Sequence, residues 1–293
     1  MKHIFIVNRF SLRERLDKYL EIIKSSADEL KLDYKIEIND NKNSTEDILK
    51  KYKNTSYIIY AVGGDGILNR VVNAVYGTKN KVSCIPAGTG NDFNRSINDC
   101  FKNGNNTVDL VKCNKKYFIN VACFGVDADI ANDNTIVHNK FIPRKLQYKL
   151  GVVKHISIYK PYTFTMKWDK EELTSKLSLV TVCNGGYYGG GFRVNPDCLY
   201  NDGKLDVFII TATNRRQLIN YLIKLLKGKH KECKHVKHVR TNNFTIITEN
   251  AIEGNLDGES LLSKKFEMTV IPSAMTMYYN KELISLINKK IGK

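Results

Sequence analysis

The chain has 293 residues, 42% of them apolar, and a formal charge of +16. No apolar run approaches bilayer-spanning length, and no segment is repetitive or low in complexity, which excludes a helical membrane protein, a repeat array and a disordered chain. Seven cysteines lack paired spacing and no export signal precedes the first strand, so reduced thiols in a cytoplasmic protein are expected. Residues 1–119 carry 20 Lys and Arg against 14 Asp and Glu, and residues 120–293 carry 26 against 16. The more basic second half points to an anionic partner or, equally, to a lysine-rich solvated surface.

In chain order, residues 3–8 read as a strand, 8–11 as a turn, and 12–30 as a helix marked by Leu12, Leu16, Leu20 and Ile23. Asp33–Ile38 alternates as a second strand, and Ser44-Thr45-Glu46-Asp47 starts a helix. Tyr57–Val62 is an apolar strand that runs into Gly63-Gly64-Asp65-Gly66, after which Leu68, Val71, Val72 and Val75 recur at helical spacing. A further strand at 82–86 opens a second glycine loop, Ala87-Gly88-Thr89-Gly90-Asn91-Asp92. This β-α-β-α-β-α-β rhythm predicts a parallel sheet with helices on both faces. Asn103–Asn106 reads as a turn. Beyond it come closely spaced strands at 107–112, 116–123, 161–169, 177–184, 204–211, 243–248 and 265–270, a pattern of antiparallel sandwich or barrel. Helices are predicted at 140–160, 214–227 and 281–291.

The chemistry concentrates at glycine-rich turns. Gly63–Gly66 sits at the carboxyl end of a strand, where glycine lets a phosphate approach the main chain and a helix amino end favours its charge. Asp65 beside phosphates implies an intervening cation such as Mg2+. An ordinary strand-to-helix turn is the plain alternative. Five glycines fill seven positions between Gly185 and Gly191. Asn201-Asp202-Gly203 is either a β-turn or, through Asp202 and turned carbonyls, a hard-cation site. Asp257 and Glu259 flank another turn, and Glu259 is a candidate general base. Asp127 follows Gly125 at a strand end.

Taken in order, these motifs resemble the soluble diacylglycerol kinase catalytic family, which includes bacterial lipid kinases and is related to sphingosine and ceramide kinases. The resemblance rests on Gly63-Gly64-Asp65-Gly66 with Asn69, Pro86–Phe93, Asn184-Gly185 with Gly189–Gly191, Asp202–Val207 and Asp257-Gly258-Glu259, and covers about residues 3–280. It implies a Rossmann-like nucleotide domain (1–119, with a carboxyl-terminal return at about 275–293) followed by an antiparallel β-sandwich lipid-substrate domain (120–274). It implies ATP as co-substrate, held by Asn8, Arg9, Asn39, Gly63, Gly64, Asp65, Gly66, Ile67, Leu68, Asn69, Gly88, Thr89, Asn91 and Asp92. Asp65 and Asp127 resemble the acids that organise the catalytic Mg2+, and Glu259 resembles the base that deprotonates the lipid hydroxyl. A structural Mg2+ is implied at Leu199, Asp202 and Lys204. The expected activity is transfer of the γ-phosphate to diacylglycerol or a related lipid at the anionic inner face of a membrane, with no nucleic-acid partner and a homodimer left open.

Two positions depart from the family pattern. Asn8-Arg9 lacks the usual proline and glycine that follow, and Ile67 replaces a threonine. Both bear on nucleotide binding. Gly-Gly-Asp-Gly also occurs in NAD kinases, so a soluble acceptor such as NAD is the alternative enzyme, and a catalytically weak lipid-binding module is the alternative of another class. Residues 140–150 mix bases with apolar side chains as an interfacial segment does, or form a solvated helix face. In 229–240, His230, Cys233, His235 and His238 suggest zinc, but the surrounding lysines favour a basic strand.

Overall fold

The computed structural model describes residues 1–88, 90–133 and 144–292, in two units: Met1–Val108 with Ser273–Lys293, and Asp109–Pro272. The first unit is a parallel sheet of β1 (His3–Asn8), β2 (Tyr34–Asn39), β3 (Ile58–Gly63) and β4 (Lys81–Pro86) in the order β2-β1-β3-β4. Every residue of β1 and β3 is buried, as expected of central strands covered on both faces. Phe5, Val7, Tyr60 and Val62 share one face with Tyr19 and Ile23 of α2 (Leu16–Glu29) and Leu283 and Ile287 of α9 (Lys281–Ile291). Alternate residues such as Ile59 and Ala61 point the other way. There α4 (Asp65–Val75) packs on β3 and β4, with α3 (Thr45–Lys50) against it.

Local chemistry sets the helix ends. Ser44 accepts the N–H of Asp47 at 3.1 Å, and Asn280 accepts that of Leu283 at 3.0 Å. Helix α9 stops at Gly292 in the left-handed region, φ 85°. Where a turn is predicted at 8–11, the Asn8 side chain caps one helical turn, α1 (Arg9–Leu12), by accepting the N–H of Phe10. The predicted 12–30 helix is broken by a tight 3-10 turn at Arg13–Arg15.

The second unit is antiparallel. Strands β7 (Val121–Gly125), β10 (Leu179–Cys183), β13 (Leu205–Ile210) and β14 (Val236–Thr241) run in the order β14-β13-β10-β7. Next comes the long hairpin of β15 (Asn243–Leu256) and β16 (Glu259–Tyr279). The hairpin of β8 (Tyr162–Trp168) and β9 (Glu171–Leu177) pairs with β15 through β8. Phe124, Phe164, Trp168, Phe244 and Phe266 fill one core. Phe208 and Ile210 help build a second, closed by α6 (Val126–Asn132), α7 (Arg144–Ser157) and α8 (Arg215–Leu226). The result is the parallel sheet with helices on both faces, followed by an antiparallel β-sandwich-like part, that the sequence predicts.

Three boundaries fall elsewhere than expected, two of them for a physical reason. The 116–123 strand is two, β6 (Lys116–Phe118) and β7, because the N–H groups of residues 119–121 turn to the Asp257 carboxylate instead of a neighbouring strand. Strand β5 (Gly104–Cys113) begins inside the predicted 103–106 turn. The units divide at 108/109 because the Asp109 carboxylate accepts the Gly203 N–H and its own N–H donates to Tyr200 O, both at 2.6 Å.

Candidate active site

In the first unit, the predicted nucleotide residues collect at the carboxyl ends of the parallel strands. Asn39 ends β2 and Asn8 ends β1, and the Asn39 amide donates to Asn8 Oδ1 at 3.3 Å. Arg9 is exposed. The two glycine loops pack main chain on main chain: Ala87 and Gly88 donate to Gly63 O at 2.8 and 3.0 Å. A Cβ on Gly88 would lie 2.5 Å from Gly64 Cα, so only glycine permits this approach. Gly64 is the N-cap of α4, and a cap without a side chain leaves the amide end of the helix open to an anion.

The Asp65 carboxylate accepts the N–H groups of Asp92 and Phe93, each at 3.0 Å, in the first turn of α5 (Asp92–Cys100). It therefore braces the second loop, and its burial pushes its pKa up. Asn91, at φ 54°, accepts the Gly88 N–H and donates to Gly88 O, pinning the loop around the intervening residues. Asp92 is buried, with Arg95 at 3.7 Å. Thr89 lies outside the described residues. Ile67 and Leu68 are buried, and Ile67 Cγ2 lies 2.6 Å from where a Gly63 Cβ would be. The position at which a threonine is expected thus turns its side chain into the core and offers a ligand only its backbone. Asn69 accepts from the Asn73 amide at 3.1 Å.

In the second unit, Asp127 stands in the first turn of α6. It follows Gly125 at φ 84°, where a Cβ would meet Ser178 O at 2.5 Å. The Asp127 carboxyl is buried and pushed up to about 6, mainly by loss of water, while the Tyr188 hydroxyl bond at 2.6 Å opposes the shift. Glycine is equally required at 185, where a Cβ would lie 1.9 Å from Asn120 Oδ1. The Asn184 amide donates to Asp109 O and Ile119 O. A cavity of about 660 Å3 opens beside α6, lined by Val126 and Asp129 on either side of Asp127 and by His155, Tyr159, Tyr162 and Glu253.

The two acids at the β15–β16 turn divide their labour. Asp257 is buried and accepts the N–H groups of Ile119, Asn120 and Val121 at 2.7, 3.1 and 2.8 Å, which makes it a structural clamp. Glu259 opens β16 and is half-buried.

The predicted structural Mg2+ turn receives a different cation. Asp202 Oδ1 accepts the Lys204 N–H at 3.0 Å, and Oδ2 pairs with the Arg240 guanidinium. Arg240 also approaches Asp206, whose other partners are His238 and Asn195. With its charge met by arginine, the Leu199, Asp202 and Lys204 set does not fit a resident metal. The zinc reading of 229–240 fails as well: His230 Nε2 lies 2.7 Å from Val194 O, and His238 stacks on Phe208. Among the described residues, no group of three His, Cys, Asp or Glu side chains gathers as a metal site. At Asp65 the fit is different. Its carboxylate oxygens, held by the amides of Asp92 and Phe93, are the hard donors that a cation arriving with phosphates would take.

Sequence reasoning missed Tyr188 and Arg240. Tyr188 hides in a glycine-rich run read for its glycines. Arg240 is the one arginine in the lysine-rich segment 229–240, and period-2 alternation with His238 was the signal that places it facing Asp206.

Comparison with known proteins gives the family. Residues 2–116 match the diacylglycerol kinase catalytic domain, and residues 120–279 match the YegS C-terminal NAD kinase beta sandwich-like domain. A diacylglycerol kinase of Bacillus subtilis is 28% identical over 69% of this chain and 71% of its own length. A diacylglycerol kinase of Mycobacterium tuberculosis is 27% identical over 74% and 75%. The fold is that of a crystal structure of a diacylglycerol kinase from Bacillus anthracis, with TM-score 0.74, 22% identity, and 96% and 97% of the two chains covered. The chain is a phosphotransferase with an alcohol acceptor, and it belongs to the diacylglycerol kinase and bacterial lipid kinase family.

Proposed function

We propose that the protein transfers the γ-phosphate of ATP, with Mg2+, to the free hydroxyl of diacylglycerol, giving phosphatidic acid. The observation that carries this reading is the contact of Gly64 with Gly88, which presents two bare backbone loops and the open end of α4 at the strand ends. A phosphate chain suits that surface. Asp65 holds the second loop in register, and Asn91 and Asn8 fix the loop ends. Asp65 would hold a Mg2+ that arrives with the nucleotide; the ion would neutralise phosphate charge, so that the acceptor hydroxyl oxygen can attack the γ-phosphorus while ADP leaves. In the second unit, Glu259 accepts the proton of the acceptor hydroxyl, and Asp127 supplies a second carboxylate whose charge Tyr188 stabilises. The cavity beside α6, where Tyr159 and Tyr162 stand among charged groups such as Asp129, Lys160 and Glu253, has a size and polarity suited to the glycerol end of a lipid.

The NAD kinase-like character of the matched second half favours one further reading, a soluble dinucleotide acceptor. Labelled-ATP turnover against a panel of lipids and NAD, with mass spectrometry of the product, separates the two. Phosphatidic acid from diacylglycerol is the expected product, and turnover of NAD alone would refute the lipid reading.

A further inference from the structure

Ten large apolar side chains stand exposed among the described residues, and six of them fall on or directly after two helices. Leu150, Val153 and Ile158 belong to α7 and the residue that follows it. Ile219, Ile223 and Leu226 belong to α8, and Leu226 is 70% exposed. Such clustering is not the scatter of single apolar residues that any surface shows.

Helix α8 has two apolar stripes. Leu218, Tyr221 and Leu225 are buried in the core of the second unit, together with Val152 and Ile156 of α7 packed against it. Ile219, Ile223 and Leu226, at i, i+4 and i+7, form the second stripe, and it faces solvent. Arg215, Arg216 and Lys227 flank that stripe on the helical wheel and are exposed. Between Arg215 and Arg240 there are nine Lys and Arg and a single acid, Glu232. An apolar stripe rimmed by bases is the design of a helix lying in a membrane interface. A nucleic acid would use the charge but not the stripe. A second copy docking face to face would set the same basic surface against itself.

We infer that the outward face of α8, with the exposed end of α7, docks the protein on an anionic lipid bilayer. This deepens, and rests on, the reading of the protein as a kinase of a membrane lipid. Ile158, the exposed residue that follows α7, also lines the cavity beside α6. Ile219, Ile223 and Leu226 enter the acyl boundary, and Arg215, Arg216 and Lys227 meet lipid phosphates.

The test is sedimentation with vesicles of phosphatidylcholine alone and of phosphatidylcholine with phosphatidylglycerol. The wild type should bind the second and not the first, and salt should weaken binding. The pair Ile223→Asp and Leu226→Asp should reduce binding about tenfold or more, as loss of two interfacial apolar anchors implies. The pair Arg215→Glu and Arg216→Glu should abolish the preference for the anionic vesicle. All four positions are exposed, so the thermal midpoint should stay at the wild-type value. Turnover of a dispersed short-chain diacylglycerol should also be unchanged, while turnover of vesicle-embedded diacylglycerol falls. Variants that sediment as the wild type does would overturn the docking face even if the enzyme phosphorylates lipid. So would a wild-type dimer that the Ile223→Asp and Leu226→Asp pair dissociates. A protein that binds anionic vesicles through this face but phosphorylates no lipid would leave the docking face standing and remove the proposed function instead.

Discussion

The Tyr188 hydroxyl donates a 2.6 Å hydrogen bond to the buried carboxylate of Asp127. Burial holds that carboxyl at about 6, above the value of about 3.9 expected in the unfolded chain. Between those values the folded protein keeps a proton that the unfolded chain has lost. The stability contributed by this group is therefore full below about pH 4 and is lost as pH rises through about 6. Asp127→Asn cannot ionise. Its stability relative to wild type should grow from little at pH 4 to on the order of 2 kcal/mol at pH 7.5, measured by urea unfolding. Tyr188→Phe removes the bond that favours the anion, so it should extend the pH range of wild-type loss upward.

Gly88→Ala places a methyl 2.5 Å from the Gly64 Cα. Main chain cannot yield as a side-chain tip does, so the loops must part. A stability loss of about 1–3 kcal/mol is expected, with a larger proportional loss of nucleotide affinity. Titration with a non-hydrolysable ATP analogue checks the second and thermal unfolding the first.

Asp257 and Glu259, two residues apart, should give opposite phenotypes. Asp257→Ala strands three buried N–H groups and should cost about 3 kcal/mol or more. Glu259→Gln should leave stability and nucleotide binding near wild type while lowering kcat by about 10²-fold or more, as loss of a general base does. Unfolding and single-turnover measurements on both variants decide the assignment, and an active Glu259→Gln protein would remove that residue from the base role.

Arg240→Gln should cost about 1 kcal/mol, because the pair it makes with Asp202 is partly exposed. If arginine is the cation of this turn, Mg2+ should not raise the thermal midpoint of the wild type through it. A Mg2+-dependent gain abolished by Asp202→Ala would show a metal there after all.

The glycine loops were legible because each is written in consecutive residues and followed by a helical period. So was α9, whose bounds fall where Leu283, Ile284 and Ile287 place them. What was not legible depends on partners distant in sequence. The brace that the Asp65 carboxylate makes to the amides of Asp92 and Phe93 was not legible, because those partners lie in the next β-α unit. Asp257 and Glu259 look alike in the sequence, and only the bend at residues 119–121 separates them. Strand β9 was missed because Glu171, Glu172 and Lys176 leave its pattern polar, and its pairing with β8 holds it in place.

The first unit is completed by residues 273–293, which supply the end of β16 beside β4 and the α9 side chains Leu283 and Ile287 of its core. The second unit is one uninterrupted stretch, Asp109–Pro272. On a ribosome, where chains emerge at about 5–20 residues per second, the unit begun first is finished last. The nucleotide loops would thus wait, on a partly uncovered sheet, until the sandwich has been made, so early termination after residue 272 should leave a folded second unit attached to an incompetent first.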